Sequence, residues 1–275
     1  MNSDKSNYNV RASSWGTLFD CAHKFEWEIL LKNRGQNSSR AQLGTAIHAS
    51  TATFDKGRMT GDLVSIDDAA GEFIEALHHP DYEVDWRDSD IKLKEAERIG
   101  LTLHSKYCAE VSPHYRFSEV EMDTLPLTID CDPGNDHGIT ITLTGTLDRT
   151  RVWDHVEGKG ISDLKTGKMA VQKGEAKTTG FTAQLGTYEL LYEYTSGETL
   201  SAPGEIIGLK TSGKLEIASA QVMNAKQQLI GTDDEPGLIE FAKDYFKAGR
   251  FPPNPQSNLC NPKYCARWDS CKFHN

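Results

Sequence analysis

A change in hydrophobic periodicity near residue 115 divides the sequence into two parts with different secondary structure. The first part repeats its apolar residues at helical spacing, whereas 117–129 and 139–153 alternate apolar and polar residues as β-strands do. A further strand is predicted over 160–166, and a helix over 181–194 precedes two more strands. This order of helices, strands, a crossover helix and further strands indicates an α/β protein with a mixed central sheet flanked by helices.

The other predicted elements complete this outline. Helices are predicted over 13–32, 44–58, 66–77, 91–111 and 238–248, and the last two strands over 205–211 and 215–222. A polar stretch, 78–90, separates two of the helices, and the tail 251–275 is predicted to be irregular because it carries four prolines and three cysteines. We therefore expect a single domain over 1–275, with an N-terminal helical annex and a helical insertion over 51–115.

Charge and composition restrict the classes of function. The net charge of −10 is opposite to the positive charge that non-specific nucleic-acid binding requires. Five lysines nevertheless fall within 158–178, and a basic strip beside an acidic metal site suits a nuclease, although most charge runs are solvated faces. The net charge also allows an enzyme that holds DNA mainly through metal ions at the cleavage point. The polar start lacks the apolar core of a signal peptide, and no apolar run approaches the ~18 residues of a membrane span. We therefore expect a cytoplasmic protein (in the host cytoplasm if a phage encodes it) that does not enter a membrane.

Asp163 and Lys165 are the residues that most directly indicate chemistry. They lie two residues apart on a predicted strand, so their side chains share one face about 7 Å apart. The carboxylate can hold a divalent cation and the lysine can orient a water or a phosphate oxygen, as phosphodiester hydrolysis requires. The same tripeptide is also typical of a solvated ion pair, so its surroundings decide between the two. Asp148 lies on the preceding strand, and the loop 154–160 is predicted to bring the two strands side by side.

Other polar side chains extend this pattern. His48 lies on a predicted helix, where by itself it is also typical of a surface or capping histidine. Gln184 and Tyr188 are four residues apart and share a helix face, which equally suits a helix that packs Tyr188 inward. Glu119 and Glu121 lie on the strand before Asp148 and are assigned no role.

Four short motifs follow one another in a fixed order. They are Gly44-Thr45-Ala46-Ile47-His48, Gly145-Thr146-Leu147-Asp148-Arg149, Asp163-Leu164-Lys165-Thr166-Gly167 and Gln184-Leu185-Gly186-Thr187-Tyr188. This set resembles the RecB-like branch of the PD-(D/E)XK nucleases, whose pattern is G-x-x-x-H, G-x-x-D-R, D-x-K-T-G and Q-x-x-x-Y in the same order. The resemblance covers roughly residues 13–271 and implies a restriction-endonuclease-like fold.

The resemblance implies a role for each matched residue. It implies that His48, Asp148 and Asp163, with the backbone carbonyl of Leu164, ligate Mg²⁺ or Mn²⁺. It further implies that Lys165 orients or deprotonates the attacking water. The side chains implied to bind DNA are Gln184, Tyr188, Lys168 and Arg149. The implied activity is a metal-dependent DNA exonuclease acting on linear or single-stranded DNA, in recombination, repair or phage DNA processing.

The cysteines predict a second metal site. Cys260, Cys265 and Cys271 crowd the tail, and Cys21 stands alone near the other end of the sequence. In a cytosolic protein, closely spaced cysteines more often bind a metal than form disulfides. Three ligands need a fourth, for which Cys21 is the natural candidate.

Similar nucleases suggest the occupant of that site. Several RecB-like enzymes, among them AddAB-type subunits and CRISPR-associated adaptation nucleases, hold a 4Fe-4S cluster between one N-terminal and three C-terminal cysteines. The resemblance therefore implies such a cluster here, joining the tail 251–275 to Cys21. The first tail spacing departs from the usual C-x2-C-x5-C, and four thiolates also suit zinc. An iron–sulfur cluster, a zinc ion, and cysteines without a metal or in a disulfide therefore all stay open, with the cluster favoured. Cys108 and Cys131 are interpreted as unliganded thiols.

Two other functions remain alternatives. One is a non-catalytic DNA-binding scaffold subunit, although a scaffold has no chemical need for two carboxylates beside a lysine. The other is a CRISPR-adaptation-type nuclease that acts with integrase-like partners. The sequence has no G-x-x-x-x-G-K-[ST] motif, so we expect no ATP motor in this nuclease. The resemblance also allows a single-strand annealing or recombination protein as a partner, which no sequence feature demonstrates.

Overall fold

A mixed five-stranded sheet forms the centre of the computed structural model, which describes residues 5–84, 86, 91–154 and 158–274. The strands are β1 (Ser6–Arg11), β2 (Phe117–Asp123), β3 (Leu127–Asp130), β4 (Ile139–Thr144), β5 (Thr146–Trp153), β6 (Gly158–Gly167), β7 (Val171–Gln172), β8 (Glu175–Ala176), β9 (Gly204–Lys210) and β10 (Ile217–Val222). The central sheet has the order β10-β9-β6-β5-β2, a smaller sheet has the order β1-β4-β3, and β7 pairs with β8. Parts of the predicted connections 78–90 and 154–160 lie outside the described residues.

Helices cover the central sheet. They are α1 (Trp15–Asp20), α2 (Ala22–Phe25), α3 (Ser39–Thr60), α4 (Ile66–His78), α5 (Leu93–Lys106), α6 (Thr182–Ser196), α7 (Ala225–Ile230) and α8 (Leu238–Ala248). The predicted helix 13–32 is interrupted at Cys21 and ends in a π-helical turn, Glu26–Leu30. The predicted helix 91–111 likewise changes to a π-helical turn after Lys106. The predicted mixed α/β architecture is confirmed.

Strand β6 is the middle strand of the central sheet. It runs parallel to β9 and antiparallel to β5, and in the latter pairing Arg149 faces Ser162 across the ladder. That register places Asp148 directly opposite Asp163. The prediction that these two aspartates lie on neighbouring strands is therefore confirmed, because the chain returns between β5 and β6 as an antiparallel hairpin.

Two predicted strands are each divided between the two sheets, which corrects the sequence interpretation. The segment 139–153 breaks at Gly145, where β4 leaves the smaller sheet and β5 enters the central one. A Cβ on Gly145 would lie 2.8 Å from Cε1 of Tyr188, so only glycine permits this close crossing of α6. The segment 117–129 divides in the same way between β2 and β3. At Gly145 the alternation of apolar residues continues through the break, so the sequence pattern does not reveal it. In 117–129 the alternation changes phase between Met122 and Leu125, and Pro126 lies at the break.

Some elements were not predicted at all. Strand β1 was not expected because, of its six residues, only Val10 is buried, so its sequence lacks an apolar alternation. It nevertheless pairs in parallel with β4 over its whole length. The β7–β8 hairpin and α7 are too short to give a periodic signal.

The helical insertion packs directly on the central sheet. Helices α3, α4 and α5 bury Leu43, Phe73 and Leu103 in one cluster with Leu164 of β6 and Ile207 of β9. Helix α3 begins where Ser38 Oγ accepts a hydrogen bond from the Ala41 N–H at 3.1 Å. The single-domain prediction requires a core that the insertion and the sheet share. The extent of the domain stays a prediction. None of the helices within the described residues is long and apolar enough to cross a membrane.

Candidate active site

Asp163 and Lys165 form a tight ion pair on β6. The Lys165 Nζ lies 2.5 Å from the Asp163 Oδ2, and the two side chains are 20% and 1% exposed. The ammonium also lies 5.1 Å from the ring centroid of Phe181, just before α6. A buried carboxylate thus holds a lysine whose charged end still reaches solvent.

Asp148 joins three elements through its two carboxylate oxygens. Its Oδ2 accepts a hydrogen bond from the Leu164 N–H at 2.8 Å, which ties it to β6. Its Oδ1 lies 3.4 Å from Nδ1 of His48, which ties it to α3. His48, Asp148 and Asp163, predicted from three separate motifs, therefore lie together.

Gly44 explains how α3 comes so close to the sheet. A Cβ at this position would lie 2.5 Å from the Thr166 Oγ1 at the end of β6. A larger residue would push α3 away from β6, and with it His48, which lies one helical turn further along.

Glu121 is a member of the site to which the sequence analysis assigned no role. One ligand atom from each of His48, Glu121 and Asp148 lies within 4.8 Å of the others, a spacing at which they could hold a metal ion. The β2–β5 register pairs Val120 with Arg149 and Met122 with Leu147, which places Glu121 opposite Asp148. The Glu-x-Glu pattern of β2 was visible in the sequence. Only the strand pairing shows that its second glutamate faces the site.

The close packing of titratable groups shifts their pKa values in opposite directions. Burial and the neighbouring Asp148 charge raise the pKa of Asp163 to about 6, although Lys165 opposes the shift. Burial acts to raise the pKa of Asp148 as well, but His48, Lys165 and Arg149 together lower it below its usual range. Burial lowers and Asp148 more strongly raises the pKa of His48, so the net shift is upward. Burial and the Asp148 charge also raise the pKa of Glu121.

Gln184 and Tyr188 lie at the base of this cluster. The Gln184 Nε2 donates to the Asp163 Oδ1 at 3.3 Å and to the Tyr188 Oη at 3.0 Å. Both side chains are buried. Their contacts therefore lead to Asp163 rather than out to solvent.

A groove of about 900 Å³ opens from the site. The charged and titratable side chains that line it are His48, Lys56, Glu72, Glu121 and Lys165. Lys168 is exposed in the turn that follows β6. The groove is large enough to admit an extended polymer, and its ionic lining is mixed rather than uniformly basic.

Arg149 lies away from this groove, which corrects the expectation that it binds DNA. Its side chain is completely buried and its Nε donates to the Asp55 Oδ2 at 2.7 Å. A guanidinium with no solvent exposure cannot contact a phosphate backbone. The G-x-x-D-R pattern did not reveal this, because Asp55 lies 94 residues away in the sequence.

The four predicted cysteine ligands come to one corner of the molecule. Cys21, at the end of α1, lines the same small cavity as Cys260, Cys265 and Cys271. Their sulfur atoms are spread around the cavity and are not gathered into a compact group. Within the described residues, no three of them lie within 4.8 Å of one another. The corner by itself therefore shows no iron–sulfur cluster.

Polar contacts join the tail to the N-terminal helices at this corner. The Asn254 N–H donates to the Cys21 Sγ at 3.4 Å, and Arg267 Nη1 donates to the His23 carbonyl at 2.9 Å and to Glu26 Oε2 at 2.6 Å. Cys108 lies elsewhere in the core, and burial raises the pKa of its thiol to about 12. Such a thiol is unreactive, in keeping with its interpretation as unliganded.

The comparison with known families assigns the fold. The model of the PD-(D/E)XK nuclease superfamily matches residues 12–272. The chain therefore belongs to this superfamily of metal-dependent nucleases, and its mixed α/β architecture is the restriction-endonuclease-like fold. No curated protein matches the chain.

Proposed function

We propose that this nuclease is a RecB-like, metal-dependent exonuclease that hydrolyses linear or single-stranded DNA. One observation carries the proposal: two buried carboxylates on adjacent strands, Asp148 and Asp163, meet a histidine and a lysine at the end of an open groove. Charges of this kind are not buried together for stability alone, because each carboxylate costs free energy when it leaves water.

The donor atoms fit a divalent cation. Glu121 Oε1 is buried without a hydrogen-bond partner, and burial, together with the nearby Asp148 charge, raises the pKa of Asp163. A cation between these carboxylates would relieve both conditions. Carboxylate oxygens suit Mg²⁺, and the single imidazole of His48 makes Mn²⁺ an equally good match. We propose His48, Asp148, Asp163 and the Leu164 carbonyl as its ligands, with the buried Glu121 oxygen as a further donor beside His48 and Asp148.

The side chains of the site each have a distinct part in phosphodiester hydrolysis. A bound cation supplies an activated water and neutralises charge on the phosphate oxygens. Lys165, held by Asp163 and the Phe181 ring, orients the attacking water and donates to the phosphate oxygens as their negative charge grows. Gln184 fixes the orientation of the Asp163 carboxylate through its Oδ1.

DNA contacts are proposed for the groove and its mouth. Lys168 is exposed just beyond β6 and can reach a phosphate next to the scissile one. Gln184 and Tyr188 are buried, so we propose that they act near the scissile phosphate through Asp163. Because the net charge is −10, electrostatic attraction over the whole surface contributes little, and binding is expected to weaken strongly without a divalent cation.

We propose that the cysteine-lined corner binds a 4Fe-4S cluster. A tetrahedral zinc site with bonds of about 2.3 Å would place its sulfur atoms only about 3.8 Å apart. Within the described residues no three of the sulfur atoms lie within 4.8 Å of one another, so zinc would have to draw them together. What supports the cluster is that all four cysteines line one cavity. Such a cluster would be structural, since the corner is formed by the two ends of the described chain and not by the groove.

The activity is tested with end-labelled linear DNA, single- and double-stranded, with Mg²⁺ or Mn²⁺ and with a closed circular control. We expect metal-dependent release of label from linear DNA only, reduced about 10²–10³-fold in Lys165→Ala, because removing one donor to the developing negative charge costs about that factor. Lys214→Ala, an exposed lysine distant in sequence from the motifs, is the matched control and should leave the rate unchanged.

Other results of that assay point to other functions. Cleavage of the closed circle would indicate an endonuclease. DNA binding without cleavage under any condition would indicate the scaffold function, and cleavage only with an added integrase-like partner would indicate an adaptation nuclease. Assignment to recombination, repair or phage DNA processing follows from the polarity and the partner proteins that co-purify.

The cysteine proposal is tested on anaerobically purified protein. We expect broad visible absorption and about four irons per chain, the iron content that a 4Fe-4S cluster requires. Both should be lost in Cys265→Ala and kept in Cys131→Ala, the control for a half-buried thiol outside the corner. A colourless protein with stoichiometric zinc would contradict the iron–sulfur proposal.

A further inference from the structure

Arg149 and Asp55 form an ion pair that is completely shielded from solvent. Neither side chain has any exposed surface, and the Arg149 Nε lies 2.7 Å from the Asp55 Oδ2. Arg149 Nη2 donates to the Thr51 Oγ1 at 3.0 Å. Asp55 also accepts from the Tyr107 hydroxyl at 2.7 Å and from the Ser112 hydroxyl at 2.5 Å. Burying charges costs free energy, so a buried network of this size calls for a functional explanation.

The network connects the same two elements that carry two of the proposed cation ligands. His48, Thr51 and Asp55 are spaced three and seven residues apart on α3, so they lie along one stripe of the helix. Asp148 and Arg149 are consecutive on β5. The stripe therefore contacts β5 twice: His48 meets Asp148 at the groove, and Thr51 and Asp55 hold Arg149 in the interior.

Arg149 also faces Glu121. Its remaining nitrogen, Nη1, lies 3.9 Å from the Glu121 Oε1, and each of these two buried atoms lacks a hydrogen-bond partner. At that distance the two charges attract without forming a hydrogen bond. The guanidinium thus fixes the chain next to Asp148 and, through its charge, draws the Glu121 carboxylate to the same place.

We propose that Asp55 and Arg149 are positioning residues for the cation site, setting the separation of His48, Glu121 and Asp148 before any cation binds. The inference rests on the proposed metal centre and extends it to residues that contact neither cation nor DNA. Outer partners of metal ligands commonly contribute about 10–100-fold to metal affinity, because ligand atoms must be held close to their final geometry.

A purely structural ion pair predicts something different. If the pair served stability alone, replacing its two charges by apolar residues of similar size would restore stability and leave cation binding unchanged. The triple variant Asp55→Leu/Tyr107→Phe/Arg149→Met removes both charges and the Tyr107 hydroxyl that would otherwise lose its acceptor. The Ser112 hydroxyl, which also donates to Asp55, keeps its contact with Arg58 at 2.8 Å. Stability and cation affinity can therefore be separated.

The experiment measures Mn²⁺ binding by calorimetry, without DNA, and urea unfolding for the same proteins. We expect Asp55→Asn and Arg149→Met to bind Mn²⁺ about 10–100-fold more weakly than the wild type. We expect the triple variant to regain much of the stability but not the affinity. Arg151→Met is the matched control: it breaks the Arg151–Glu205 pair, 3.1 Å apart, two residues further along the same strand.

The control variant Arg151→Met should lose stability but keep its Mn²⁺ affinity within about twofold of the wild type. That change is much smaller than the loss of about 10–100-fold expected when an outer partner of a metal ligand is removed. Wild-type affinity in Arg149→Met or in the triple variant would overturn the positioning role while leaving the proposed metal centre intact. An equal loss of affinity in Arg151→Met would also overturn it, since any weakened strand would then have the same effect. Absence of Mn²⁺ binding in the wild type would overturn the metal centre and the positioning role together.

Discussion

The carboxylate site and the cysteine-lined corner are both proposed metal sites, but they are built in different ways. The carboxylate site uses adjacent strands of one sheet, and the Leu164 backbone N–H itself holds Asp148. The corner joins segments from the two ends of the described chain, and side-chain contacts such as Arg267 to Glu26 hold it together. In the carboxylate site, one atom each of His48, Glu121 and Asp148 lies within 4.8 Å of the others, whereas among the described residues no three cysteine sulfurs do. We infer that the fold forms the first site, and that its occupant completes the second.

The largest expected effect tests the corner. Cys21→Ala removes one anchor from a closed loop of more than two hundred residues, and we expect the free energy of unfolding to fall by about 5 kcal/mol. Urea unfolding of anaerobic protein measures this, with Cys131→Ala as the comparison. Equal, small losses in both variants would mean that no occupant joins the chain ends.

The next prediction tests the carboxylate site, where we expect a loss of activity and not a loss of stability. Asp163→Asn should reduce cleavage by about 10³-fold, because it removes a charged ligand that contributes several kcal/mol to the transition state. We expect no loss of stability in the cation-free protein, since a buried carboxylate with a raised pKa is replaced by a neutral isostere. Cleavage assays and thermal unfolding in EDTA provide the two readouts. Strong destabilisation would show that this site, like the corner, contributes to holding the fold together.

The pH dependence of cation binding gives a third test. Protons compete with the cation for Asp163, whose pKa is raised to about 6, and for His48, whose pKa is also raised. Below about pH 6 the Mn²⁺ affinity should therefore fall at least tenfold per pH unit, and above the pKa values it should level off. Calorimetry at several pH values in buffers of different ionisation enthalpy measures the protons released. A pH-independent affinity would contradict this proton competition.

The smallest expected effect concerns Gln184. Gln184→Ala leaves the Asp163 Oδ1 without its donor, so the carboxylate can rotate and its pKa should rise further. We expect cleavage at neutral pH to fall about three- to tenfold, as for the net loss of one typical hydrogen bond, because the 3.3 Å contact is long. The matched comparison is Gln172→Ala, in the β7–β8 hairpin, which should behave as the wild type.

The sequence predicts the site well where its residues are local to one motif. Asp163 and Lys165 belong to one strand and Gln184 and Tyr188 to one helix turn, so spacing alone places each pair on a common face. The hairpin that brings Asp148 opposite Asp163 is short, and it was predicted as well. The mixed α/β class was predicted from periodicity, because most helices and strands are long enough to show a repeating pattern of apolar residues.

The remaining features depend on pairings between distant segments. Glu121 faces the site because of the β2–β5 register, which no local pattern specifies. In the sequence, Arg149 resembles a surface arginine that follows a catalytic aspartate. Only its contact with Asp55 shows that its side chain is buried in the interior. The division of one apolar stretch at Gly145 was missed because alternation continues while the partner strands change.

The Asp55–Arg149 pair also has a consequence for the order in which this protein folds. Its partners are 94 residues apart, so closing this contact requires β5 to dock on a helical segment that can already have formed its own local contacts. An intermediate with α3, α4 and α5 assembled would lack the aligned His48 and Asp148. We therefore expect added Mn²⁺ to slow unfolding without accelerating refolding, because the cation can act only after this long-range contact is made.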